Sequence, residues 1–235
     1  MLLNMLFRIC IVLPFCAVFL YLLLGILTTG WLRASNPFKR LPRSSQTLYL
    51  TFDDGVNPVY TPMLLDLLKK NNIKASFFIL ASSAKEYPQL LQRMKKDGHL
   101  VGFHSYNHRN QILQLPHQLI QDFEKSMKIF DDMGIEVAYY RPPWGHARPL
   151  GLYLCKAYQL KTVLWNVIVQ DWQANTTAEI LCDKLTKKVH GNAVICLHDG
   201  RGKNEAPLKT IQALADMIPK WKEEGYTFET VDCLY

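Results

Sequence analysis

The six cysteines of this 235-residue chain include no Cys-x-x-Cys pair. Structural zinc sites made of cysteine usually carry such pairs, so the sequence argues against one. Cys10 and Cys16 lie inside an apolar run, and the other four cysteines are scattered over the remaining chain. One or two disulfides would require an oxidising compartment, and buried free thiols are the simpler interpretation. The cysteines therefore do not decide where the protein resides.

Acidic residues are absent from residues 1–43, which hold five of the 27 lysines and arginines. The rest of the chain carries 22 basic against 20 acidic residues, so most of the formal net charge of +7 belongs to the amino-terminal part. There the basic residues would meet anionic lipid headgroups. No nucleic-acid partner is indicated, and nothing in the sequence identifies a protein partner.

Charged residues are also absent from Ile9 to Leu27, a run of 19 residues. That length is sufficient for a transmembrane helix. A cleaved signal peptide is the alternative, since Thr28-Thr29-Gly30 offers small residues near a cleavage point, but the run exceeds a normal signal-peptide core. We therefore assign residues 1–30 to a membrane anchor or signal segment, with the single-pass anchor favoured, and residues 31–46, which lack periodicity, to a linker.

The orientation of such an anchor is ambiguous. Only Arg8 precedes the apolar run, whereas four basic residues follow it at Arg33, Lys39, Arg40 and Arg43. The positive-inside rule would then place the rest of the chain in the cytoplasm.

After the linker, strand-like and helix-like segments alternate. The sequence predicts strands over 47–52, 75–80, 99–104, 136–140, 161–167, 193–197 and 227–231. Helices are predicted near 60–70, 88–96, 116–133, 150–158, 177–190 and 207–224. Seven strands with intervening helices imply a parallel α/β architecture. The pattern alone does not choose between a closed barrel and an open, doubly wound sheet.

Two adjacent carboxylates, Asp53 and Asp54, follow the apolar run that ends the first strand. An Asp-Asp-Gly sequence is often a solvated turn. At the end of a buried strand, however, the two charges repel each other, and a metal ion would resolve the conflict by binding one of them. The other carboxylate would then be free to act as a base.

Four further segments have chemically useful residues at predicted strand ends. His104 and His108 are four residues apart, a spacing that places both on one face of a helical turn, where they can bind one metal ion. Arg141 precedes two prolines and could hold a carboxylate such as that of Asp53. Trp172 offers a flat surface for a sugar ring, and His198 could serve as a general acid. Ligands of parallel α/β folds bind at this edge of the sheet.

Together these segments resemble a known family. Its five ordered motifs correspond to Thr51–Gly55, His104–His108, Arg141–Gly145, Asp171-Trp172 and Leu197–Asp199. The chain is similar in this way to polysaccharide deacetylases, the NodB-homology domain of carbohydrate esterase family 4. The resemblance assigns residues 47–235 to a catalytic domain with a distorted seven-stranded (β/α) barrel. It implies a hydrolase that removes N-acetyl groups from amino sugars of a polysaccharide or cell-wall glycan.

The resemblance also implies roles for individual residues. Asp53 would be the general base, oriented by Arg141, and His198 would be the general acid. A divalent metal is implied, with Zn²⁺ expected and Co²⁺, Ni²⁺ or Mn²⁺ as alternatives. Its ligands would be Asp54, His104 and His108.

The substrate side of the site is assigned in the same way. The Trp144 backbone N–H would line the oxyanion site, and Leu197 and Trp172 would line the acetyl pocket. Asp171 belongs to the same substrate-side group. Trp144 stands where the family usually has Tyr or Phe, which would reshape the groove.

A second departure concerns His198. The family commonly has an Asp three residues before Asp171 to support the acid histidine, and this chain has Ile168 there. The expectation is therefore that His198 lacks its usual support.

Two alternatives to N-deacetylation follow from these considerations. One is hydrolysis of another sugar amide, such as a formyl group or lactam, on a lipid-linked or cell-wall glycan. The other is a membrane-tethered protein that binds glycans without catalysis, against which the complete set of motif residues argues. An exported glycan as substrate would require the domain to lie outside the cytoplasm, in conflict with the charge count.

Overall fold

The computed structural model describes residues 2–235, with side chains from residue 13 onward. Helix α1 spans Leu2–Ala34 and is followed by a short 3₁₀ helix at Pro37–Arg40. Met1 and the side chains of residues 2–12, which belong to the predicted segment 1–30, lie outside the described residues. The first four residues of the predicted linker are helical, because α1 continues beyond the apolar run. The segment Leu13–Arg40 contains an 18-residue window of mean hydropathy 2.1, sufficient in length and composition to cross a membrane.

The remaining chain alternates helices and strands as predicted. The strands are β1 (Thr47–Asp53), β2 (Ser76–Ile79), β3 (Leu100–Phe103), β4 (Tyr139–Tyr140), β5 (Lys161–Thr162), β6 (Val167–Ile168), β7 (Ala193–His198) and β8 (Thr227–Phe228). The helices are α2 (Tyr60–Lys70), α3 (Ala81–Glu86), α4 (Pro88–Lys96), α5 (Pro116–Asp132), α6 (Pro149–Ala157), α7 (Ala178–Lys188) and α8 (Ala206–Glu223). Each predicted helix is present to within two residues, and the one-and-a-half-turn helix α3 was not predicted.

The strand predicted over 161–167 is in fact two strands, β5 and β6. Between them, the carbonyl oxygens of Val163 and Leu164 accept hydrogen bonds from the Arg141 guanidinium at 3.2 and 3.3 Å. Because the Arg141 side chain occupies these two carbonyl oxygens, they do not accept hydrogen bonds from a neighbouring strand. The residues between β5 and β6 therefore leave the sheet. The described residues therefore form eight strands where the sequence predicts seven.

All strand pairs in the described sheet are parallel, in the order β5-β4-β3-β2-β1-β7-β6. Strand β8 pairs with the first residues of β1, ahead of the stretch that pairs with β2. The outermost strands β5 and β6 are joined by no ladder within the part of the chain that the structure describes. The sheet is thus a curved, incompletely closed barrel covered by helices, and the parallel α/β barrel architecture is confirmed.

The two faces of the sheet have different side chains because strand residues alternate in direction. In β1, Leu48, Leu50 and Phe52 join the main apolar core beneath the helices. The intervening Tyr49 belongs to a smaller cluster inside the barrel, with Phe38, Phe78, Val163, Val194 and Val231. Polar and catalytic-type side chains of β1 and β7 lie on this inner face, toward its carboxyl end.

Helix α1 also contacts the domain. Its contacting face carries Tyr21, Gly25, Thr29 and Arg33. The Arg148 guanidinium lies 3.4 Å from the centroid of the Tyr21 ring, and the Thr29 hydroxyl lies 3.0 Å from the backbone nitrogen of Ala147, which donates to it. This four-residue spacing forms one stripe along a helix. The outward side of α1 leaves large apolar residues exposed, including Phe15 and Phe19.

Candidate active site

A cavity of about 1080 Å³ opens at the carboxyl end of the inner face of the sheet. Residues from all five sequence motifs line it, namely Asp53, Asp54, His104, His108, Trp144, Trp172 and His198. Arg141 and Asp171 lie directly behind this surface and are buried. The structure therefore brings together segments that are separated by up to 145 residues in the sequence, at the sheet edge where ligands of parallel α/β folds bind.

The Asp53 carboxylate is held by a buried arginine. Arg141 donates from Nη1 to Asp53 Oδ1 at 2.7 Å and to the Thr51 hydroxyl at the same distance. Its guanidinium also lies 4.0 Å from the centroid of the Phe78 ring. Every side of Arg141 is occupied, so this ion pair fixes the Asp53 carboxylate and leaves Oδ2 turned away from the arginine.

Asp54 faces two imidazoles. Its Oδ1 lies 3.4 Å from His104 Nε2 and 3.1 Å from His108 Nε2, and it makes no hydrogen bond within the described residues. The spacing of the two histidines predicts a helical turn, but the structure does not place them on one. They stand in a loop after β3, where Ser105 and His108 adopt left-handed backbone conformations and the His108 N–H donates to the Ser105 hydroxyl at 2.7 Å. This turn, rather than a helix, aims both rings at Asp54.

The chemistry of this trio fits a metal ion. His104 Nδ1 lies 2.7 Å from the backbone carbonyl of Arg141, which can only accept, so Nδ1 carries the proton and Nε2 has a free lone pair. Burial has the larger effect on the pKa of His108 and lowers it to about 4, although the negative charge of Asp54 acts to raise it. This imidazole is therefore neutral at neutral pH. Burial alone would raise the pKa of Asp54, but the neighbouring His104 and His108 hold it well below its usual range.

Two imidazoles and one carboxylate therefore converge, with their ligand atoms within 4.8 Å of one another. Among them, Asp54 Oδ1 is buried and has no hydrogen-bond partner within the described residues. A divalent cation bound to this oxygen and to the two imidazole nitrogens would satisfy it. Such a set leaves further coordination positions open toward the cavity.

His198 has a partner that the sequence did not predict. Its Nδ1 lies 2.9 Å from Asp171 Oδ1, and its backbone N–H donates to Asp171 Oδ2 at 2.8 Å. The Thr210 hydroxyl donates to the same Oδ2 at 3.0 Å. The expectation that Ile168 leaves His198 unsupported is therefore corrected, because Asp171 itself reaches the imidazole. Asp171 is buried behind the histidine and does not line the cavity, contrary to its assignment to the substrate side.

This contact determines the charge of the histidine. Burial alone lowers the pKa of His198, but the charge and hydrogen bond of Asp171, with Asp53 and Asp54, raise it to about 9. The ring is therefore protonated at neutral pH, and its Nε2–H is the proton available to a ligand.

Leu197 is not brought to the cavity. Residues 193, 195 and 197 of β7 face the helices, and Leu197 lies in the main core. The residues between them face inward, so Cys196 lines the cavity in its place, with its Sγ 3.5 Å from Asp53 Oδ2. Counting back two residues from His198 would have identified Cys196 from the sequence.

Two tryptophans form parts of the cavity wall. Trp172 lies edge-on to the His198 ring, with centroids 4.8 Å apart. Trp144 is half-exposed in a left-handed backbone conformation with φ of 56°, and its ring centroid is 4.1 Å from that of His108. Beside it, His146 also borders the cavity. These flat side chains leave a broad groove above the polar centre, which suits a sugar ring.

Comparisons with known proteins agree with this geometry. A family model described as polysaccharide deacetylase matches residues 40–163. A peptidoglycan-N-acetylglucosamine deacetylase of Bacillus cereus is 32% identical over 193 residues, covering 81% of this chain and 89% of that protein. The peptidoglycan-N-acetylmuramic acid deacetylase PdaA of Bacillus subtilis is 33% identical over 193 residues, covering 80% of this chain and 71% of that protein. A crystal structure of a peptidoglycan N-acetylglucosamine deacetylase superposes with a TM-score of 0.76 at 27% identity, covering 83% of this chain and 90% of that one. The chain belongs to the polysaccharide deacetylase family.

Proposed function

We propose that this domain uses a divalent metal to remove the N-acetyl group from an amino sugar of peptidoglycan or a related cell-wall glycan. The observation that carries the proposal is the position of three units around one cavity. These are the Asp54, His104 and His108 trio, the Arg141–Asp53 pair and the Asp171–His198 pair. The first suits a metal ion, the second a base and the third an acid, which is what hydrolysis of an unactivated amide requires.

The reaction would divide between these residues. A bound divalent cation, Zn²⁺ in our proposal, would supply Lewis-acid polarisation of the amide and a water that ionises near neutral pH. Asp53, fixed by Arg141, accepts the proton of the attacking water through Oδ2. The Trp144 backbone N–H donates to the developing negative charge on the carbonyl oxygen. His198 donates its Nε2 proton to the departing amine, releasing acetate and a free amino sugar.

Acetate release tests this proposal. The purified full chain, stripped of metal and then reloaded with one equivalent of Zn²⁺, should release acetate from N-acetylated peptidoglycan fragments, and the stripped form should not. Asp53→Asn and His198→Ala should each lower kcat by about 10²–10⁴-fold. His117→Ala, which changes an exposed histidine, serves as the matched control. A folded, reloaded protein that releases no acetate from any amino-sugar oligomer would refute the proposal.

We further propose that α1 remains uncleaved as a single-pass anchor and holds the domain outside the cytoplasm. The contacts of Tyr21 and Arg33 with the domain support the first part, because cleavage near residues 28–30 would cut a helix that is packed on both sides of that point. The proposed substrate supports the second part, against the distribution of basic residues. Intact-cell protease accessibility of the domain tests the orientation, and the mass of the mature chain tests cleavage.

A further inference from the structure

Three side chains outside the Asp54, His104 and His108 trio also converge on the cavity. Asp53, Cys196 and His198 offer ligand atoms that all lie within 4.8 Å of one another. Strands β1 and β7 run in parallel, with Asp53 opposite His198 and Thr51 opposite Cys196. The register therefore brings the thiol of Cys196, directed inward and two residues before His198, beneath both other groups.

Each ligand atom is held in place by a neighbour. Arg141 occupies Asp53 Oδ1, which leaves Oδ2 beside the Cys196 sulfur at 3.5 Å. Asp171 occupies His198 Nδ1, which leaves Nε2 as the nitrogen available to a ligand. Fixed second partners of this kind orient ligands before a metal arrives and so favour binding.

We propose that Asp53, Cys196 and His198 form a second cation site, selective for Zn²⁺ or a similarly thiophilic divalent ion. One thiolate, one carboxylate and one imidazole make a three-ligand set that leaves the fourth tetrahedral position to water. Magnesium and calcium prefer oxygen ligands and would not occupy it. Binding forms bonds from the metal to the Cys196 sulfur, Asp53 Oδ2 and His198 Nε2. It releases two protons to solvent, one from the thiol and one from Nε2 of the protonated His198 ring, with no change in oxidation state.

The consequence for catalysis rests on the proposed function. A second ion would occupy Asp53 Oδ2 and His198 Nε2, the atoms to which we assign base and acid, and so inhibit the enzyme. Because Asp53 and Asp54 are adjacent, the second ion enters against the charge of the first and binds more weakly. Zinc beyond one equivalent should therefore inhibit, and the inhibition should depend on Cys196.

Metal stoichiometry in the absence of substrate tests the site directly. The stripped full chain is titrated with Co²⁺ and Zn²⁺, following heat release, bound metal and the absorption band of a thiolate–Co²⁺ bond. We compare it with Cys196→Val, which removes the ligand at similar volume. Cys155→Val is the matched control, because Cys155 is equally buried but lies in the helix-side core.

We expect the unmodified chain and Cys155→Val to bind a second ion with a thiolate band, and Cys196→Val to bind one ion without it. For each variant, activity is expressed relative to its own value at one equivalent of zinc. The zinc concentration that halves this activity should be at least about tenfold higher for Cys196→Val than for the unmodified chain. If that variant misfolds by circular dichroism, Cys196→Ser replaces it. A single ion in the unmodified chain, or a second ion that survives loss of the thiol, would overturn the site. A chain that binds two ions but releases no acetate would refute the proposed function and leave the second site intact.

Discussion

Arg33 of helix α1 donates a hydrogen bond from Nη2 to the backbone carbonyl of Trp144 at 2.7 Å. Arg33 also lines the catalytic cavity, although it lies between the apolar run and the domain in the sequence. Trp144 has a left-handed backbone, which costs free energy for a residue other than glycine and needs support from its surroundings. The amino-terminal helix is thus a structural part of the cavity wall as well as an extension of the apolar segment.

Arg33→Ala should therefore weaken catalysis. Loss of one hydrogen bond is worth about 0.5–1.5 kcal/mol, so kcat/KM should fall by about two- to tenfold, with the larger part in kcat if the Trp144 peptide moves. Steady-state kinetics on a defined oligomer measures this split. Arg40→Ala removes the same charge from an exposed position in the 3₁₀ helix and should have no such effect. Equal losses in both variants would indicate a general electrostatic effect and contradict the positional role.

Asp171→Asn should change how activity depends on pH. Asp171 is the main group that raises the pKa of His198 to about 9, so its neutral replacement lowers that pKa and the histidine loses its proton at lower pH. The alkaline limb of the kcat/KM profile should move to lower pH, with the largest loss of activity above neutrality. Asp183→Asn, at an exposed position, should leave the profile unchanged. An unshifted alkaline limb in Asp171→Asn would show that another group sets it.

Much of the fold follows from the sequence because its signals are local. The alternation of strand-like and helix-like segments locates the six predicted helices to within two residues. The break between β5 and β6 is not local, since it depends on Arg141 capturing the carbonyls of Val163 and Leu164 from a distant segment. No pattern within residues 161–167 indicates it.

The sequence predicted which residues meet at the site better than it predicted which of their atoms are in contact. Motif positions at strand ends identify the residues that meet around the cavity. Which atom contacts which depends on side-chain direction, and two of the expectations that failed illustrate this. The support of His198 comes from Asp171 and not from position 168, and the inward residue of β7 is Cys196 and not Leu197. The second error was avoidable from strand alternation, whereas the first needed the three-dimensional structure.

Asp199 should make stability depend on pH. Burial raises its pKa to about 7, and within the described residues its Oδ1 has no hydrogen-bond partner, while Oδ2 accepts from the Thr61 hydroxyl at 2.5 Å. A carboxyl whose pKa is higher in the folded than in the unfolded state stabilises the fold at acidic pH. That contribution is lost as the pH rises toward 7. Asp199→Asn should therefore gain about 3 kcal/mol relative to the parent between pH 5 and pH 8, because about two units of that interval lie below the folded pKa, at about 1.4 kcal/mol per unit.

Urea unfolding of the metal-free proteins at both pH values measures this difference. Asp216→Asn is the control, because it removes a carboxylate from an exposed position of α8. Its stability relative to the parent should be the same at pH 5 and pH 8. A gain for Asp199→Asn that is independent of pH would mean that packing, and not ionisation, is responsible.

Gly200→Ala should disturb the trio of Asp54, His104 and His108, because Gly200 packs against the backbone of Asp54. A Cβ at Gly200 would lie 1.9 Å from the backbone carbonyl oxygen of Asp54 and 2.6 Å from the Gly55 nitrogen, so backbone must move. Such overpacking typically costs about 1–3 kcal/mol in the free energy of unfolding. Because the displaced carbonyl belongs to the residue whose carboxylate faces His104 and His108, affinity for the first metal ion should fall together with stability. Gly30→Ala, which meets no atom within 4 Å, is the control. Reduced stability with unchanged metal affinity would show that the turn after β7 moves while the end of β1 stays in place.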